Sequence, residues 1–131
     1  MKIEREPAEQ ELQRILDFFD LSPEGTDWES QKEKLISAIM KGRISLDEEK
    51  ANIKLTLVCP LELQNGSTIS EFVFKEPTAG DLKVMDRYKE GQNMAKTIAL
   101  ASTITSQPIG IIDRLVVRDL QTVAGIVSLF F

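Results

Sequence analysis

The chain has 131 residues, 42% hydrophobic and 28% charged, the balance of a single soluble globular domain long enough to bury a core without staples. Its net charge of -5 is uneven: residues 1–50 hold thirteen Asp/Glu against eight Lys/Arg, whereas residues 51–131 hold eight of each. With no clustered basic face, no apolar run of membrane-spanning length, no histidine and one cysteine, Cys59, the composition argues against nucleic-acid binding, a membrane span, an internal disulfide, His-based catalysis and Cys/His metal sites.

The N-terminal MKIEREPAEQEL lacks the apolar core of a signal peptide, which places the chain in the cytoplasm. PAEQELQRILDFFDL then carries Leu12, Ile15, Leu16, Phe19 and Leu21 near helical spacing, with Pro7 where a first turn tolerates it. SPEGTD is a loop. A second helix follows through WESQKEKLISAIMKG, capped by Asp27 or Thr26 and stopped at Gly42, with Trp28, Leu35, Ile36, Ile39 and Met40 on its apolar face. Residues 1–42 thus form an acidic helical hairpin, read as an appendage to a second unit, residues 43–131.

The period changes at residue 43. RISLD alternates, DEEKAN is a polar tip, and NIKLTLVCPLEL alternates again with Ile53, Leu55, Leu57, Cys59, Leu61 and Leu63 on one face. Asn65-Gly66 is a strong hairpin signal, because both central residues of a type I′ turn need positive φ. With those two as the loop, Leu57 faces Phe74, Cys59 faces Phe72, Leu61 faces Ser70 and Val58 faces Val73. One sheet face is then apolar and the other, with Lys54, Thr56, Glu62, Glu71 and Lys75, is wet. Pro60 donates no hydrogen bond, so its strand must lie at an edge or be bulged there.

After Pro77 the pattern is helical. GDLKVMDRYK groups Leu82, Met85 and Tyr88, and QNMAKTIALAST groups Met94, Ala95, Ile98 and Ala101, with Gly91 between the two helices and TSQP ending the second. A short turn or helix around Ile111–Arg114 precedes a final helix from about Val117, whose apolar face is Leu120, Val123, Ala124, Val127 and Phe131. The fold class is therefore α+β: a small antiparallel hairpin or meander packed by C-terminal helices, after an N-terminal helical hairpin.

Chemistry is sparse. No phosphate-binding glycine loop or nucleophile elbow occurs, so neither an enzyme nor a cofactor is expected. Cys59, on the apolar strand face, is a small hydrophobe. Asp47, Glu48 and Glu49 lack the spacing and central glycine of a calcium loop and read as a solvated tip. Asp113, Arg114, Arg118 and Asp119 read as ion-pairing charges at helix ends. In PTAGD, Pro77 ends the strand, while Thr78 and Asp81 form a capping-box-like pair. Gly80, a poor helix former in that first turn, is read as a point of close backbone packing. At the C-terminus, Phe130 and Phe131 either fold back into the core or form an apolar patch for a partner.

Together, IKLTLVCPLELQNGSTISEFVFKEPTAGDLKVMDR and IDRLVVRDLQTVAGIVSLF resemble phage tail assembly chaperones of the Mu and P2 tail protein E type. The resemblance rests on the Pro-aliphatic step Cys59-Pro60-Leu61, the turn Asn65-Gly66, the segment Pro77 to Leu82 with Thr78, Gly80 and Asp81, and the Leu-x-x-x-Asp-Leu element Leu115 to Leu120. It covers about residues 52–131; residues 1–42 carry no such signature. The resemblance implies a non-catalytic phage or prophage protein that binds the tape-measure protein, covers its apolar segments, helps recruit tail-tube subunits, and is absent from the finished particle. Self-association is compatible with this reading. The family often makes a longer frameshifted product, and a terminal Phe-Phe can be encoded by six slippery thymines. Helix-in-groove binding through Val123, Val127, Phe130 and Phe131 is the expected partner site. A cytoplasmic adaptor or regulatory protein-binding module unrelated to phage is the alternative.

Overall fold

A computed structural model describes residues 3–131. The N-terminal hairpin is α1 (Arg5–Phe18) and α2 (Thr26–Met40). Ala8, Leu12, Ile15 and Leu16 on α1 pack on α2, whose buried face is Leu35, Ile36, Ala38 and Ile39. Arg5 also joins the two helices, its Nη2 donating to both Glu33 carboxylate oxygens at 2.8 and 3.0 Å. Neither Thr26 nor Asp27 caps α2. The loop needs φ 102 at residue 25, so Gly25 takes the N-cap position and Thr26 becomes the first helical residue. The far end closes as expected: Gly42 at φ 74 and the bonds Gly42 N to Ile39 O and Arg43 N to Ala38 O form a Schellman cap.

Three antiparallel strands follow in spatial order β1 (Ile44–Asp47), β2 (Asn52–Glu62) and β3 (Thr68–Lys75). Ile44, Ile53, Leu55, Leu57, Leu61, Phe72 and Phe74 are buried on the inner face, while Lys54, Thr56, Glu62, Glu71 and Lys75 stay exposed. Beyond β3 come one turn of helix, α3 (Ala79–Leu82), a 3₁₀ turn (Lys83–Arg87), α4 (Asn93–Thr105), the short α5 (Ile109–Ile112) and α6 (Val117–Phe130).

The β2–β3 register differs from the expected one. The loop is three residues, not two: Leu63 N bonds Ser67 O at 2.8 Å, Gly66 N bonds Leu63 O at 3.0 Å, and Gly66 has φ 86 while Asn65 does not enter positive φ. A type I turn closed by a left-handed glycine is the usual three-residue solution. Asn65 adds a side-chain turn, its Oδ1 accepting from Ser67 N and Oγ. Leu61 therefore pairs with Ile69, and a bulge between Thr56 and Leu61 moves the rest, so Leu55 faces Phe72 and Ile53 faces Phe74. Leu57 still points inward, because the bulge restores the alternation, but Cys59 and Pro60 fall inside the irregular stretch. Cys59 is half-buried and is not opposite Phe72.

The helical region also departs from the simple pattern. The expected helix over GDLKVMDRYK shortens to α3 plus the 3₁₀ turn, and Tyr88 is already extended at φ -118 and ψ 147. No residue from Lys75 to Ile98 is fully buried, and of the expected helix only Val84 and Met85 pack, partly buried, against the core, too little to lengthen it. At the other extreme, α6 is apolar on more than one face. Val123, Gly125, Ile126, Val127 and Leu129 are all buried, because α2, α4 and β2 enclose it. The buried residues form one cluster running from Ala8 to Leu129, to which both the N-terminal hairpin and the remaining chain contribute.

Candidate functional site

The residues singled out by sequence fall in two parts of the surface-to-core boundary and in one surface segment between them in the chain. The first is the junction of β2 with α6. Pro60 cannot donate, and the bulge leaves the neighbouring amides outside the ladder. Asp119 satisfies them. Its Oδ1 accepts from Val58 N at 2.8 Å and its Oδ2 from Cys59 N at 3.1 Å. The side chain belongs to the third residue of α6, where the helix dipole favours an anion, and the residue is only 1% exposed. Asp119 is thus no helix-end ion pair: among the described residues neither Arg114 nor Arg118 reaches it. Arg114 Nη2 donates to Glu62 O at 2.6 Å, and Arg118 Nη2 lies 3.7 Å from Cys59 Sγ. The Pro60 step and the Leu115–Leu120 element, about sixty residues apart in sequence, are therefore two halves of one structural joint.

The segment after β3 is the reverse, a surface cap. Thr78 and Asp81 form a complete capping box, with Asp81 Oδ2 accepting from Thr78 N at 2.8 Å and Thr78 Oγ1 accepting from Asp81 N at 3.3 Å. Lys75 Nζ stands 3.7 Å from the same carboxylate. Pro77, half-buried, separates strand from helix. Gly80 does not mark close packing. A Cβ there would meet only Thr78 Oγ1, at 3.7 Å, an ordinary contact in open surroundings. Close approach occurs instead at Gly125 on α6, where a Cβ would lie 3.1 Å from Gln31 Oε1 and 3.3 Å from Leu35 Cδ2 of α2.

The second part is the C-terminal end of α6. Val123 and Val127 are buried at 0% and 3% exposure, so they hold the core together and offer no surface. Phe130 is half-buried, its ring edge-on to Phe19 with centroids 5.3 Å apart. Only Phe131, 47% exposed, stands clearly in solvent. The terminal pair is thus divided, one ring folded back on Phe19 and the other exposed. They open on a groove of about 750 Å³ between the α1–α2 loop, the start of α2, the start of α4 and the end of α6, walled by Pro23 and Trp28. Trp28 also borders a second hollow of about 610 Å³ between α1 and α2. Sequence periodicity assigned Trp28 to the apolar face of α2 but gave no sign of its place in these walls, because that depends on where α1 crosses α2.

The polar groups of the joint and of the cap bond the backbone or one another, whereas the two grooves mix Trp28, Pro23 and aliphatic side chains with charged ones such as Glu6, Glu9, Lys32, Glu24 and Asp27, and Gln31 Oε1 is a buried acceptor without a partner among the described residues. Among the described residues no helix is long and apolar enough to cross a membrane. Neither a curated protein nor a solved structure matches the chain. Residues 54–131, well over half of the chain, match the family of phage tail assembly chaperone proteins, E, or 41 or 14. The matched span includes β3 and the structural joint whole, from the Pro60 bulge to Asp119 and the end of α6. The chain belongs to the phage tail assembly chaperone family.

Proposed function

We propose that the protein binds the tape-measure protein during tail assembly, keeps its apolar segments soluble and helps recruit tail-tube subunits, as the Mu and P2 type does. It acts in the cytoplasm of the bacterial host without catalysis and leaves before the particle is finished. The observation that carries this reading, beyond the family itself, is the exposed end of α6. A helix buried along most of its length finishes in an aromatic residue standing in solvent beside a groove walled by Trp28 and Pro23. Apolar exposure of that kind invites a partner, and an amphipathic helix laid into such a groove binds through spaced apolar anchors. Weak, repeated contacts suit a long helical client.

The test is co-expression with the tape-measure protein of the same phage or prophage, followed by pull-down and a solubility assay. Phe131→Ser leaves the thermal midpoint within about 2 °C of the parent, since an exposed site contributes little to stability, and sharply reduces the client recovered. Phe130 is left in place because its ring packs on Phe19. Unchanged recovery with Phe131→Ser would remove this site from the reading, and failure of the parent protein to bind or solubilise the client would remove the function.

A further inference from the structure

A groove of about 330 Å³ lies between the last turns of α2 and the first turns of α6, away from the C-terminal end of α6 and meeting the β2–α6 joint only at Arg118. Lys34, Lys41, Arg43 and Arg118 line it. On a chain of net charge -5 this is a local reversal of sign. None of the four has a carboxylate within salt-bridge distance among the described residues; the ion pairs there use Arg5, Arg14, Lys54 and Lys75. The one carboxylate in the wall, Glu33, is taken up by Arg5 of α1, whose hydrogen bonds hold its carboxyl below the ordinary glutamate range.

Helix stability accounts for only part of this arrangement. Lys41 complements the carbonyl end of α2, but Arg118 sits in the first turn of α6, where the dipole disfavours a cation. The only apolar residue in the wall, Ala38, is itself buried, so burial of apolar surface cannot select an occupant. Charge can. Lys34 and Lys41 are two helical turns apart, a span of ~10 Å. Carboxylates two turns apart on a helix match it, as do carboxylates three residues apart in an extended segment.

We propose that this groove is a second docking site, for an acidic segment of a protein partner, separate from the aromatic end of α6. The volume fits a few side chains rather than a duplex. The excess acid of residues 1–50, most of it on the adjoining α1–α2 hairpin, repels a long polyanion while leaving a short acidic segment its local match. The site stands whichever tail protein the α6 end binds.

The probe is a labelled alanine-based helical peptide with glutamates two turns apart, compared with its glutamine counterpart by fluorescence anisotropy on the full chain. The parent protein binds the glutamate peptide, ignores the glutamine one, and loses affinity as salt is raised from low to physiological ionic strength. Lys41→Glu with Arg118→Glu weakens binding by about tenfold or more, the sum of several screened charge pairs. Lys34→Gln with Lys41→Gln, at exposed positions on α2 and at its C-cap, weakens it with circular dichroism unchanged. Reversal of Lys83, in the 3₁₀ turn, and Lys89, just beyond it, neither of which lines the groove, leaves it intact. The proposal is overturned if the glutamate peptide does not bind, if reversing Lys83 and Lys89 weakens it equally, or if a labelled oligothymidylate binds through the same cations more tightly than the peptide.

Discussion

The family-matched region contains both an enclosed joint and, among the described residues, the longest stretch without a buried one. At the β2–α6 junction, a buried carboxylate closes a bulge over a core of Leu57, Leu61, Val123 and Val127. From Lys75 to Ile98 no residue is fully buried, although that strap carries Leu82, Met85, Tyr88 and Met94, the last 58% exposed. Both contain sequence elements of the same resemblance, yet they hold structure in different ways. The junction is specified by tertiary contact, and the strap mainly by local bonds, a capping box, a 3₁₀ turn and left-handed Gly91, with Val84, Met85 and Ile98 only partly buried against the core. Stability is therefore unequal along the segment, with the strap at the end that opens easily.

That contrast can be broken at either side. The larger effect belongs to Asp119→Ala, which strands two part-buried amides and removes two charge-assisted bonds. The loss is about 2–4 kcal/mol by chemical denaturation, and a change within about 0.5 kcal/mol, as surface substitutions give, would mean that the joint holds nothing. The smaller effect has the opposite sign. Gly80→Ala enters an open position with ordinary helical backbone and reduces the freedom of the unfolded chain, so it stabilises by roughly 0.4–1 kcal/mol. A loss of stability there would show that the strap packs more closely than its exposure indicates.

Much of the architecture was legible from periodicity, because helical and strand spacings differ and the inward residues of β2 and β3 keep theirs. The capping box was legible for the same reason: its partners are three residues apart. Register was not. Asn65-Gly66 fits both a two-residue and a three-residue loop, and the difference is decided by backbone angles that leave Asn65 out of the left-handed region. Pro60 announced an edge or a bulge without its size. Asp119 was legible as an N-terminal helix charge, but its bonds to Val58 and Cys59 span 61 and 60 residues, and no local pattern encodes them. The face of α6 was misjudged in part for a related reason: an amphipathic reading assumes one covered side, and here three elements cover it.

The same logic separates the candidate partner residues. Val123, Val127, Phe130 and Phe131 follow one apolar spacing, but depth along α6 sorts them into two core residues, one ring shared with Phe19, and one ring in solvent. Spacing reports which side of a helix is apolar; it does not report where the covering elements stop.

The central claim is that Asp119 ties the Pro60 bulge to α6, making one joint of two distant stretches. Amide hydrogen exchange followed by nuclear magnetic resonance tests it most directly. The account predicts that the Val58 and Cys59 amides of the parent protein exchange as slowly as those of core strand residues such as Leu55, while the strap from Lys83 to Gln92 exchanges rapidly. Rapid exchange of Val58 and Cys59 in the intact protein would contradict it.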